Sequence, residues 1–240
     1  MMTFFARHVF TDGSKREQAD EQLLRSKVDP KWTDGDPWRV LRIMGEFVEG
    51  FESLADIGKA VTVFGSARVP AGHPYYQLAQ DVGKVFAEAG YAVISGGGPG
   101  IMEATCKGAY ENGGTTIGLG IELPHEQGIN EFVEAPVNFH YFFVRKTMFV
   151  KYAQAFLALP GGFGTLDELF ECVTLVQTEK IRKFPIVLVG RDYWQDLMEW
   201  MRKNLVAEGM CGPDELEIIQ LVDSAAEALQ AVQENSLQFP

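Results

Sequence analysis

Residues 157–171 read LALPGGFGTLDELFE. An apolar run enters, Gly161, Gly162 and Gly164 crowd the turn, and an acidic, helix-patterned segment leaves. This is the pattern of a buried strand delivering the chain to the start of a helix. Glycine lets the backbone come close to a ligand, and the following helix directs its unpaired N–H groups and positive dipole end at the same place, so the turn suits an anion. The lysine that completes the ATP-binding loop consensus is missing, and a carboxylate, Glu168, follows the turn instead.

Working outward, four further β-rich runs resemble the one that enters this turn: AVTVFG at 60–65, YAVISG at 91–96, TTIGLG at 115–120 and PIVLVG at 185–190. Helical patterns at 75–89, 101–112, 139–153, 166–178 and 193–205 alternate with them. Such alternation predicts an α/β fold with a mostly parallel sheet and right-handed helical crossovers. The runs are apolar on both faces, as strands covered by helices on both sides must be. In an open parallel sheet ligands bind beyond the carboxyl ends of the strands, which directs attention to Gly65-Ser66, to residues 95–100 (SGGGPG) and to residues 160–165 (PGGFGT).

The chain before residue 59 reads differently. Residues 11–36 are polar and charged, and then Val40, Leu41, Met44, Phe47, Val48, Phe51 and Leu54 recur at helical spacing up to about Gly58. The expectation is an N-terminal arm with a docking helix over 1–58 and a nucleotide-binding catalytic domain over 59–240.

Composition narrows the function. With 240 residues, 46% of them hydrophobic, the chain can bury a substantial core. Its 33 acidic and 21 basic residues leave a net charge of −12, which opposes a nucleic-acid polymer or an anionic membrane surface as partner. A small phosphorylated ligand remains compatible, because a cluster of backbone N–H groups and one or two arginines can hold it against the global field. Cys106, Cys172 and Cys211 show no CxxC pairing and read as reduced thiols, and no apolar run reaches the length of a membrane span, so a cytoplasmic protein is expected. The dinucleotide pattern G-x-G-x-x-G fails at Ile101, although Glu122 stands near the distance of a ribose-binding acid. No G-x-S-x-G elbow occurs, and His8, His73, His125 and His140 have no metal-ligand spacing, so neither a metal nor another cofactor is expected.

Taken together, GGGPGIMEA, VRKTMF and PGGFGTLDE resemble the signature of the Lonely Guy family, the cytokinin riboside 5'-monophosphate phosphoribohydrolases. The likeness runs in order from Val61 to about Gly212. It implies a Rossmann-like three-layer sandwich and hydrolysis of the N-glycosidic bond of AMP, or of an N6-substituted counterpart, to free base and ribose 5-phosphate. It also implies a homodimer or an assembly of dimers. The family's catalytic arginine falls on Arg145 and its catalytic glutamate on Glu168. Its nucleotide-binding turns fall on Ser66, Gly97, Gly98, Gly100, Gly161, Gly162, Gly164 and Thr165. Glu103 and Lys146 are carried over as substrate contacts, and Met148 as lining the base pocket. The chain departs from the compact plant-type members at Glu103 and in its N-terminal arm.

The chemistry is coherent. Breaking a ribose C1'–N bond passes through an oxocarbenium-like state that a carboxylate stabilises and that needs a positioned water. Glu168 can orient that water and Arg145 can hold the phosphate or a developing negative charge. Plainer readings stand beside these. Thr165-x-x-Glu168 is also a capping box, Arg145 and Lys146 could be the solvated side of an aromatic helix, and Glu103 could answer the helix dipole or a ribose hydroxyl. A non-catalytic nucleotide-binding regulator would use the same loops.

Overall fold

The computed structural model describes residues 19–20, 36–122, 128–181 and 184–236. Helix α1 (Asp36–Ser53) comes first. The chain then alternates β1 (Ala60–Phe64), α2 (Pro74–Glu88), β2 (Ala92–Ser95), α3 (Ile101–Tyr110) and β3 (Thr116–Ile121). It continues through β4 (Ala135–Phe139), α4 (Phe142–Tyr152), β5 (Phe156–Ala158), α5 (Phe163–Gln177) and β6 (Ile186–Val189). Helix α6 (Arg191–Met201), extended by a π-helical turn at Arg202–Val206, the short α7 (Pro213–Leu216), β7 (Ile219–Val222) and α8 (Ala225–Ser236) complete it.

All seven strands are parallel, in the order β4-β3-β2-β1-β5-β6-β7. Alternation along each central strand builds two cores. Phe64, Ile94, Phe156 and Leu188 face α4, α5 and α6, whereas Val61, Val63, Leu157 and Val187 face α2, α3 and α8. The result is the α/β three-layer sandwich expected of runs apolar on both faces. Among the described residues no helix is long and apolar enough to cross a membrane.

Two strands escape the pattern reading. β4 (APVNF) contains Pro136 and buries only alternate residues, and β7 (IQLV) has one fully buried residue, because both lie at sheet edges where one side of the ladder is unpaired. Since β4 takes Phe139, α4 begins three residues later than its aromatic run implies.

Helix α1 lies along α4, but not by the face its strongest apolar residues mark. Val40, Leu41, Met44 and Val48 are exposed, while Ile43, Phe47 and Leu54 pack inward. Its anchor is polar. His140, between β4 and α4, sets Nδ1 2.9 Å from Glu46 Oε1 of α1 and Nε2 3.2 Å from Glu122 Oε2 beyond β3. The hydrogen bond to Glu46, and the charges of Glu46, Glu122 and Glu49, raise the His140 pKa against the opposing effect of burial. The fold therefore favours the imidazolium, and this contribution is complete below the ordinary histidine value of about 6.5 and lost as pH rises through the raised one. In thermal unfolding, the advantage of the native chain over His140→Gln should shrink as pH is raised from about 6 to about 9; parallel curves would show that the pair contributes nothing.

Candidate functional site

The strand order turns around between β1 and β5, so the connections leaving these neighbours diverge to opposite sides and open a crevice beyond their carboxyl ends. A cleft of about 640 Å³ lies there, within the usual range for small-molecule sites. Residues Gly65–Arg68, continuing β1, form one wall, and Gly161–Glu168, continuing β5, form the other. The walls are tied together: Leu159 N–H donates to the Phe64 carbonyl at 2.9 Å and Ser66 N–H to the Pro160 carbonyl at 3.1 Å.

The second wall ends in the start of α5. Its N-cap is Gly162, which has no side chain to cap the helix, and Phe163, Gly164 and Thr165 of the first turn all border the cleft. A Cβ at Gly161 would collide with the Thr165 side chain, whereas at Gly162 or Gly164 it would meet nothing within 4 Å. The outer glycines thus leave backbone open to a guest, and the inner one lets Thr165 close over the turn.

Because α5 starts at Phe163, Thr165 is its third residue and not its cap, which corrects the capping-box reading. Glu168 lies one turn further, 9% exposed on the floor of the cleft. Burial pushes its pKa up to about 7; Lys146 and Arg145 pull it down, and Glu171 and Asp167 push it up. A carboxylate poised near neutrality is suited to accepting a proton.

Arg145 enters from α4. Its Nε–H donates to the Leu119 carbonyl at 2.7 Å and its guanidinium carbon lies 5.0 Å from the Phe149 ring centre, so the fork is pinned at the cleft wall. Gly96 gives it room: a Cβ there would stand 2.5 Å from Arg145 Nη2 and 2.7 Å from Met102 Sδ. Lys146, the next residue, turns away from the cleft. Its Nζ lies 2.9 Å from Asp167 Oδ2 and 2.6 Å from Glu171 Oε2, binding α4 to α5 on either side of Glu168. Desolvation opposes its charge, but those hydrogen bonds and the nearby glutamates hold its pKa above the ordinary lysine value.

The remaining expected contacts divide. Ser66, Gly161, Gly162, Gly164 and Thr165 line the cleft. Gly97, Gly98 and Gly100 do not; their turn is stapled from behind, with Asn130 Nδ2 donating to the carbonyls of Gly97 at 2.9 Å and Gly98 at 3.0 Å, and Ile101 N–H to the Ser66 carbonyl at 2.9 Å. Glu103 also lies outside, accepting the Tyr76 hydroxyl at 2.7 Å. Met148 is fully buried beneath Gly50 of α1 and is not part of the cleft lining, because α1 covers that part of α4.

Among the lining residues that the sequence reading did not assign to the site, three carry polar or aromatic groups of interest, Arg68, Tyr193 and Phe142. Arg68 follows Ser66 by two positions, and among the described residues its guanidinium has no ion-pair partner. A basic residue so close to a strand-end Gly-Ser was a legible signal. Tyr193 of α6 donates its hydroxyl to the Gly161 carbonyl at 2.7 Å, and Phe142 reaches the cleft from the first position of α4; neither has a local signature. Among the described residues no group of three or more His, Cys, Asp or Glu side chains could hold a metal ion.

Residues 102–232 match the family model described as "possible lysine decarboxylase". A cytokinin riboside 5'-monophosphate phosphoribohydrolase of Rhodococcoides fascians is 30% identical over 162 residues, covering 65% of this chain and 79% of that protein. One from Arabidopsis thaliana is 32% identical over 167 residues, covering 67% and 75%. Among solved structures, the molybdenum cofactor carrier protein of Chlamydomonas reinhardtii superposes with a TM-score of 0.56 at 25% identity, covering 75% of this chain and 99% of that one.

The electrostatics of Glu168 set a test independent of any ligand. Its folded pKa lies above the ordinary glutamate value, so the fold favours the neutral acid and loses stability as pH rises from that value through about 7. Glu168→Gln should therefore gain stability on the native chain, by on the order of 2 kcal/mol, at pH about 8 and not at about 4. A gain independent of pH in chemical denaturation would contradict the buried, strained carboxylate.

Proposed function

The chain belongs to the Lonely Guy family, and from that membership and the cleft we propose that it hydrolyses the N-glycosidic bond of a purine nucleoside 5'-monophosphate, AMP or an N6-substituted counterpart, releasing the base and ribose 5-phosphate. The observation that carries this reading is the pairing, on one helix, of an open N-terminus with a buried carboxylate of pKa near 7 one turn along. The names of the relatives point the same way.

In this reading the phosphate sits on the first-turn N–H groups of α5, where the dipole favours an anion, and Arg68 closes on it from the opposite wall. No phosphoryl group moves, so no phosphate-loop lysine is needed. The purine lies against apolar lining of the cleft, to which Met102 and Phe142 contribute. Binding energy from the phosphate positions C1' over Glu168. The Glu168 carboxylate takes a proton from water as the water oxygen bonds to C1'; the C1'–N bond breaks, the base leaves with the electron pair and is protonated by solvent. Arg145 stabilises negative charge developing in the cleft.

The structural likeness to a cofactor carrier favours one second reading, a protein that holds a phosphorylated ligand and turns over nothing.

Chromatographic detection of adenine and ribose 5-phosphate from AMP separates the two. The native chain should release both, Glu168→Gln should do so about 10²- to 10⁴-fold more slowly with nucleotide affinity retained, and the rate should rise with pH about a midpoint near 7. Saturable AMP binding with no base released would support the carrier. Arg68→Ala should raise KM about tenfold or more, the scale of a lost charge-assisted hydrogen bond, and change kcat little.

A further inference from the structure

Helix α4 begins without a cap of its own. Its N-cap, Tyr141, is extended at φ −112° and ψ 125° and makes no side-chain cap bond, and the segment HYFFVRK (140–146) offers no Ser, Thr, Asp or Asn at that point. A helix start leaves several N–H groups without intrahelical acceptors. The acceptors come instead from the N-terminal arm. Glu46 Oε2 accepts the N–H of His140 at 3.1 Å and of Tyr141 at 3.3 Å, and Asp20 Oδ2 accepts the N–H of Phe142 at 3.3 Å.

The contact continues down the helix. Gly50 of α1 lies so close to Met148 that a Cβ would stand 2.9 Å from Met148 Cε, and the Tyr152 hydroxyl donates to the Phe51 carbonyl at 3.0 Å. Helix α1 therefore holds α4 at its lead-in, its middle and its last turn. Besides Phe142, the first turns of this helix deliver Arg145 to the cleft, and the Arg145 Nε–H to Leu119 O bond tolerates little sliding of α4 along its axis.

We propose that Glu46 is a positioning residue for Arg145: by capping α4 from the arm, it sets where the guanidinium stands in the nucleotide cleft. This rests on the reading above that Arg145 meets the nucleotide. The carboxylate supplies the negative charge that the positive end of α4 calls for, and it does so from a separate helix, so the register of α4 depends on α1 and not on the local sequence alone.

The test is a double-mutant cycle on the full chain, read by calorimetric AMP binding, with amide hydrogen exchange as a second measurement. Glu46→Ala should weaken AMP binding about tenfold, and Glu46→Gln, which keeps an acceptor oxygen, should recover part of that loss. In an Arg145→Ala background, Glu46→Ala should cost less than about twofold, because its target is gone. Amides of residues 141–147 should exchange faster in Glu46→Ala while those of β1 and β5 are unchanged. The same tenfold loss in both backgrounds, or unaltered exchange in α4, would overturn the proposal. If the native chain binds no AMP, the functional reading falls, and exchange in α4 alone decides whether Glu46 sets the helix.

Discussion

The hydrogen bond from Ser66 N–H to the Pro160 carbonyl, just past the last paired residues of β1 and β5, is the constraint on which the site depends. Sheet pairing ends with Phe64 and Ala158, yet the two chains stay bound for two residues more while their connections diverge toward opposite layers. Without that tie the crevice at the turn-around of strand order would be the gap between two independent loops. With it, the wall bearing Ser66 and Arg68 is held against the wall bearing the start of α5. Tyr193 completes the arrangement from a third strand end by holding the Gly161 carbonyl.

Around this frame the charges are arranged against the overall balance of the chain. A protein of net charge −12 presents at its cleft two arginines and an uncapped helix start, and the acidic residues nearest them are engaged elsewhere. Asp167 and Glu171 are bound by Lys146, Glu46 by the lead-in to α4, and Glu103 by Tyr76. Glu168 is left with burial as its dominant influence, which raises its pKa to about 7.

Much of this was legible in the chain itself. The five strand runs with apolar character on both faces specified a parallel sheet covered on two sides, and glycine at their ends located the crevice. Ser66, Arg145, Glu168 and the turn of residues 161–165 all come to one cleft. What was not legible depended on partners distant in sequence. The edge strands β4 and β7 carry too little apolar signal to stand out, because one side of each is unpaired. The turn at 97–100 lies outside the cleft, and the carbonyls of Gly97 and Gly98 are held by Asn130, thirty-odd residues away, a partner that local sequence does not reveal. Met148 follows Arg145 closely enough to suggest a shared pocket, yet a helix from the other end of the domain covers it. Helix α1 itself was found by its apolar spacing but with the wrong face inward, since its attachment is made by Glu46 and Gly50, which periodicity of large apolar residues cannot rank.

Placing Glu168 on the same rigid helix whose first turn borders the cleft turns α5 into a gauge. Glu168 stands four positions beyond Gly164, and at about 1.5 Å of rise per residue their backbones lie roughly 6 Å apart along an axis that cannot stretch. In the function proposed above, a 5'-phosphate seated on that first turn would bring the anomeric carbon toward Glu168, whereas the end of a longer polyphosphate chain in the same seat would hold the sugar further off. Selection for the position of one phosphate group would then reside in the pitch of a helix, with no side chain dedicated to measuring it.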